Sequence, residues 1–385
     1  MAQVSGVVHT SQVVGKKESI VDELFYLDPM DTPFLTKIGM GPNGPLNTLR
    51  RKCTNPTYQW PETALTTNRT TLTTGINNSV TAMVLDDAYW TRVGDVVLMD
   101  LELISIDALT SGQPTTITRG VYGSTAAAHV AGAVIVNTGI ARAQGGDAPT
   151  DDFEDQPTLV TNYTQIWLET IRIAMTTQAT ESYGRTNEYD EAKAQKMRRI
   201  KEQLEHAVLF GGTPTAPVGS STASRMGGAL NYVTTNVRAL SGAQLNISDI
   251  HAVMELCYNA GGAPDCLIVG SFNKRVISDW KMPHVQYQGV AESSSGFGAT
   301  VGSLETDFGK IMVISKRSIP QSLCMLITSQ NVGVGPLQGN NENREFTHKF
   351  LGETGDHVRG LISGEYTCEW RMEKSHGLIT GTAVS

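Results

Sequence analysis

The stretch that decides the fold is EYDEAKAQKMRRIKEQLEHAVLFGG, residues 188–212. Met197, Ile200, Leu204 and Val208 recur in it at steps of three and four, which aligns them along one side of an α-helix. Glu188, Asp190 and Glu191 complement the positive end of the helix dipole, and Gly211-Gly212 offers a stop. The spacing predicts a helix over 188–210 with one apolar stripe, a spine for other elements to pack on.

Downstream, residues 213–230 are a Gly/Ser/Thr/Pro loop, followed by an α/β stretch: helix 247–259, strand 266–269, helix 271–281. A polar loop at 290–302 leads to strands 310–315 and 323–328, and the last sixty residues read mainly as strands, notably 357–363 and 365–373. Upstream, residues 166–175 fit both periods in part and are read as a strand. Residues 81–145 read as a small all-β module. It has a near-continuous apolar strand over 96–106 broken by Asp100 and Glu102, a turn at Ser111-Gly112, strand 115–118, the glycine-rich TRGVYGSTAAAHVAG, and strand 133–137. An acidic linker, 147–157, leaves it. Residues 53–80 are crowded with threonine and predict an extended hairpin, too poor in apolar side chains to stand alone. Proline and glycine break residues 1–50 into an arm that needs support from elsewhere.

The chain has 385 residues, enough for about two or three linked domains. Its net charge of −8 argues against a dedicated nucleic-acid reader, though not against a protein that encloses nucleic acid without gripping it. The five cysteines form no CxxC pair and read as buried thiols in a reducing cytosol. The first residues lack a signal-peptide pattern, and no apolar run approaches the ~20 residues that cross a bilayer.

Motifs that carry chemistry fail on context. Gly39, Gly41 and Gly44 match GxGxxG, but Pro42 and Pro45 surround them and no strand–turn–helix follows. Asp151, Asp152, Glu154 and Asp155 read as a solvated linker rather than a cation site. His129 reads as a turn residue with one backbone hydrogen bond, or as a pH-sensitive interface group. The one basic concentration is Lys193, Lys196, Arg198, Arg199 and Lys201. Glu202 and Glu205, four residues from Arg198 and Lys201, predict ordinary surface pairs; the competing reading has Lys193, Lys196 and Arg199 facing DNA. No catalytic, cofactor or metal constellation assembles.

The order of these words resembles the HK-97-like major capsid proteins of tailed bacteriophages, in the branch whose extended loop carries an inserted β module. MDTPFLTKIG stands in the arm and YQWPETAL opens the loop; GDVVLMDLELISI and TRGVYGSTAAAHVAGA mark the module. NYTQIWLETIRIAMTTQATESYG returns the chain to the spine helix. SRMGGALNYV, LIVGSFNKRVISDW, GVGPLQG, LGETGDHVRGLISGEYTCEWR and HGLITG follow in order.

The resemblance implies an α+β, HK-97-like fold: arm 1–52, extended loop 53–80 and 146–165, inserted β domain 81–145, peripheral domain 166–228 and 329–385, and axial domain 229–328. It implies a non-enzymatic virion protein, assembled in the host bacterial cytoplasm as hexamers and pentamers of an icosahedral shell around double-stranded DNA. No fused scaffolding domain is recognisable, so a separate scaffolding protein is expected, with a portal and a decoration protein as further partners and no membrane. Phe25, Phe34, Tyr58, Trp60 and Leu65, in the arm and loop, are the side chains expected to touch neighbouring subunits. A virion decoration or tail-surface binding protein is the alternative; it explains the Thr-rich strands but not the long helix with its α/β follower.

Overall fold

A helix with one apolar stripe needs a surface to bury it on, and here that surface is a pair of β-sheets. The computed structural model describes residues 32–39, 48–63, 69–88, 91–141, 144, 157–180, 187–217, 222–280, 302–339, 342–353 and 355–384. The chain divides into two compact units, residues 1–60 with 159–385, and residues 61–158.

The first unit begins with a short helix, α1 (Pro33–Lys37), and strand β1 (Thr57–Glu62). β1 pairs with β7 (Thr158–Tyr163), about a hundred residues later in the chain, so the local hairpin expected over 53–80 does not form among the described residues. Too few apolar side chains made a local pair unfavourable, and the strand instead finds a distant partner and an aromatic cluster described below.

β8 (Gln165–Ala174), the strand expected over 166–175, leads through the short helix α2 (Met175–Ala179) into α3 (Glu188–Phe210). α3 has the bounds that its periodicity predicted. The Asn187 side chain caps it by accepting from the backbone N–H groups of Tyr189 and Asp190. Gly211 at its end has φ −54, so its role is space rather than left-handed backbone. A Cβ there would lie 2.5 Å from the Ala207 carbonyl oxygen and 2.6 Å from the Gly228 nitrogen, where two backbones cross.

α3 lies over one face of a four-stranded sheet made by β8, β14 (Val332–Pro336), β15 (Thr347–Glu353) and β16 (His357–Trp370). β16 is one fourteen-residue strand where two were expected, because it pairs along its length with β8 and β15 and then with β14. After the short helix α4 (Ala229–Tyr232), the remaining elements build a mixed six-stranded sheet. Its order is β11 (Ser303–Thr306), β12 (Gly309–Ser315), β10 (Cys266–Val269), β13 (Leu323–Ile327), β17 (Gly377–Thr380) and β9 (Val237–Ala239). Helices α5 (Ile247–Asn259) and α6 (Ser271–Asp279) pack Val253, Met254, Cys257 and Ile277 on one face, against Leu267, Val313 and Leu326. The opposite face gives Cys266, Ile268 and Met325 to the cluster that holds Ile200, Leu204 and Val208 of the spine. Burial on both faces explains why these strands read as continuous apolar runs.

The second unit is a five-stranded antiparallel sheet, β2 (Arg69–Thr71), β6 (Val134–Gly139), β3 (Val96–Met99), β4 (Glu102–Thr110) and β5 (Gln113–Thr118), in that order. The run 96–106, read as one strand, is two: Asp100 adopts φ 54 and, with Leu101, turns the chain back. Ser111 and Gly112, both at positive φ, make the next hairpin turn as expected. Leu72 and Ile76 join Val97, Met99, Ile104 and Ile135 in the core, so residues 69–80 pack within this unit.

Candidate assembly interface

In the first unit buried carboxylates fix residues that the sequence reading places at the roots of the arm and of the loop. Glu205, on the flank of the spine stripe, is fully buried. One of its oxygens meets the Lys316 ammonium at 2.6 Å, with both side chains wholly inaccessible, and the other accepts the backbone N–H of Leu35 at 3.0 Å. The arm helix α1 is therefore seated on the spine by its own backbone. Phe34 stacks on Trp370 with ring centroids 6.2 Å apart, and Lys37 pairs with Asp265 at 3.4 Å. Glu205 was expected to pair on the surface with Lys201; the apolar neighbours Leu204 and Val208 bury it instead, and burial then demands a charged partner.

At the loop root Glu369 plays the same part. It is 1% exposed, and accepts from the Tyr58 hydroxyl at 2.9 Å and the Arg50 backbone N–H at 3.0 Å. Arg371 completes its charge balance at 3.4 Å. Burial and then the Glu369 charge push the Tyr58 phenol well above its ordinary range, so it stays a donor. Gly333 on the paired strand leaves room for this carboxylate, which would meet an added Cβ at 2.6 Å. Trp60 lies between Tyr58 and Tyr232, at 6.0 and 5.8 Å between centroids.

In the β module Glu102 is the hub. It takes two hydrogen bonds from Arg119 at 2.7 Å each, and one each from the backbone N–H groups of Gly120 and Ala127 at 3.0 Å. Burial alone would raise its pKa; Arg119, the Ala127 N–H and His129 outweigh burial and bring it down to about 2. His129 is buried with Nε2 2.9 Å from Glu102 and Nδ1 2.8 Å from Asp100, not the single backbone hydrogen bond of a turn residue. This knot holds the TRGVYGSTAAAH loop against the sheet, while Leu101 (91%), Tyr122 (75%) and Val130 (77%) remain exposed.

A family model described as SU10 major capsid protein matches residues 6–383. The chain belongs to that family. A chain from a solved structure of Mycobacterium phage Bobi is similar at 12% identity and TM-score 0.50, with 98% of this chain and 100% of that one covered. A chain from Microbacterium phage Oxtober96 gives 11% identity and TM-score 0.50, with 95% and 96% covered. No curated protein matches. The chain is thus a bacteriophage major capsid protein with an HK-97-like α+β fold, a structural subunit of a homo-oligomeric shell and a component of the virion.

In this capsid subunit Phe34, Tyr58 and Trp60, expected at contacts with neighbours, are buried by their own chain at 0, 7 and 5% exposure. Little of these side chains is left for a second copy to touch, because Trp370, Glu369 and Tyr232, remote in sequence, enclose them. Phe25 and Leu65 lie outside the described residues. Of the three cations expected toward DNA, Lys196 and Arg199 both approach Glu169 on β8, at 2.9 and 3.7 Å. Lys193 is half-buried on the same helix. Glu205, Lys316 and Glu369 were missed. The available signals were a glutamate on the edge of an apolar stripe and a lysine ending the apolar run of β12.

Proposed function

We propose that this subunit forms hexamers and pentamers that close into an icosahedral shell around double-stranded DNA in the bacterial host's cytoplasm. A separate scaffolding protein, a portal and a decoration protein complete its partners. The observation that carries the reading is the pair of buried anchors, Glu205 for the arm root and Glu369 for the loop root. Segments that leave a subunit from fixed points can be laid across neighbours in register, which a repeating lattice requires. The four-stranded sheet with its spine helix fits the peripheral domain, the six-stranded sheet the axial domain, and residues 61–158 the inserted β domain.

DNA is held by confinement in this reading. The chain carries a net charge of −8, and Glu169 already pairs with Lys196 and lies 3.7 Å from Arg199, which leaves Lys193 as the DNA-facing candidate with no carboxylate paired to it among the described residues. The subunit has no catalytic role. Burial pushes the Cys257, Cys266, Cys324 and Cys368 thiols up to about 12, which removes thiolate nucleophiles at neutral pH.

The test is electron microscopy of the full chain purified after expression alone and with the phage's scaffolding protein. Closed shells or six- and five-membered capsomers are the expected products. Stable small trimers that never close would overturn the shell reading in favour of a decoration protein.

A further inference from the structure

The four-stranded sheet has two unlike faces. Trp167, Ile171 and Ile173 of β8 and Val358 and Ile362 of β16 turn toward the spine helix and its core. The other face follows from the register: Arg172 stands opposite Arg359, Thr170 opposite Leu361, Leu168 opposite Ser363 and Ile166 opposite Glu365. On the far side of β16, Lys349 of β15 stands opposite Leu361. Ile166 and Leu168 are 49% and 60% exposed, and Arg172, Arg359 and Lys349 are exposed too.

Two arginines directly opposite on neighbouring strands are an unfavourable pair, their Cβ atoms about 5 Å apart in an antiparallel ladder. Among the described residues no carboxylate pairs with Arg172, Arg359 or Lys349. The acid on this face, Glu365, is 5% exposed and taken by Arg344 at 3.2 Å and Thr164 at 2.6 Å. Among the described residues, folding of one chain thus concentrates like charge beside an exposed apolar strip with no carboxylate to compensate it.

We propose that this face is an interface between copies of the subunit, in which carboxylates of a second copy neutralise Arg172, Arg359 and Lys349 while its apolar side chains cover Ile166 and Leu168. The inference rests on the shell-forming role. Charge favours a second copy as the occupant: each chain carries 38 acidic against 30 basic residues, so copies bring a surplus of carboxylates to one another. The apolar strip favours it again over nucleic acid, whose backbone offers phosphates but nothing to cover two exposed aliphatic side chains. Repulsion within the pair also makes the contact conditional. It costs the free subunit stability and is relieved only on docking, so assembly through this face is salt-sensitive.

The test compares Arg172→Gln/Arg359→Gln with Arg172→Lys/Arg359→Lys and the wild type, in the full chain. The glutamine variant should fold with an unchanged or slightly higher Tm, because a repulsion is removed. The concentration it needs to form shells, read by sedimentation, should rise at least tenfold, and the lysine variant should assemble near the wild-type level. In wild-type shells grown from mixed isotope-labelled and unlabelled chains, a carbodiimide should couple Lys349 to an aspartate or glutamate of another copy. Normal assembly of the glutamine variant overturns the proposal, as does normal assembly with reduced DNA retention, which would make nucleic acid the occupant. If the glutamine variant does not fold, the absence of any inter-copy Lys349 coupling in the wild type overturns it alone. A wild type that stays monomeric at every concentration removes the shell reading itself.

Discussion

The body (residues 1–60 with 159–385) and the β module (61–158) solve the same problem over different distances. Each holds a segment against its sheet through buried carboxylates, one in the module and two in the body. In the module the hub is local: Glu102 gathers Arg119, Gly120, Ala127 and His129, all within 27 residues. In the body the reach is long: Glu205 joins Leu35 to Lys316 across 170 and 111 residues, and Glu369 joins Arg50 and Tyr58 across 319 and 311. A local hub can form as soon as its hairpins do. A long-range hub is complete only when the whole body has closed, so losing Lys316 takes from the buried Glu205 the ammonium that faces it. The difference teaches where each unit is fragile.

The largest effect is expected in the body. Lys316→Met leaves Glu205 charged and enclosed, and breaking a buried pair in this way costs about 3–5 kcal/mol. Urea unfolding should show that loss, and the double variant Glu205→Leu/Lys316→Met should recover most of it. It should not recover all, since the Leu35 N–H loses its acceptor, at about 1–3 kcal/mol for a buried unmet donor. A double variant as unstable as the single one would mean that packing, not charge, dominates the site.

Acid should separate the units next. Burial lowers His376, wholly enclosed beside Trp370, from 6.5 to about 4. The unfolded chain therefore binds the proton first: the stability is intact above pH 6.5, falls as pH drops, and is lost by about pH 4. The loss amounts to about 3 kcal/mol. Glu102 runs in a lower window. Its pKa falls from 4.5 to about 2, so its contribution holds above 4.5 and goes as pH approaches 2. Hydrogen exchange, corrected for the intrinsic pH dependence, should show strands β16 and β17 loosening between pH 6.5 and 4.5 while β3 to β5 keep their protection. Simultaneous loosening would put another titrating group in control.

The same contrast of range decides what could be read from the sequence. α3, α5 and β10 lie where periodicity set them, because a stripe or an apolar run is a local pattern that tertiary packing then uses. The resemblance of ordered words to capsid proteins carried the fold. Residues 53–80 failed as a local hairpin because β1 waits for β7, and nothing within the stretch announces a partner a hundred residues away. Tyr58 and Trp60 looked like sticky ends for a neighbour because their own enclosing groups, Glu369 and Tyr232, lie far along the chain. Glu205 looked like half of a helix-surface pair for the same reason. The two-faced sheet was half legible: alternation in β8 marks one buried side, but only the register puts Arg172 beside Arg359.

The smallest effect is expected at the module's hub, and its smallness is what distinguishes a local hub from a long-range one. Glu102→Gln keeps the shape and can still accept from the Ala127 or Gly120 N–H, but it leaves Arg119, 7% exposed, without its charge partner. Arg119 retains the carbonyls of Asn77 and Ala127, at 2.7 and 2.6 Å, so part of its hydrogen bonding survives. A loss of about 2 kcal/mol follows, between a neutral hydrogen bond and a fully broken buried pair. It should be confined to the module: exchange should quicken in residues 102–130 and stay unchanged in α3 and β16. If α3 loosens as well, the two units do not fold as separate blocks, and the contrast between a hub that forms early and one that closes last would fail.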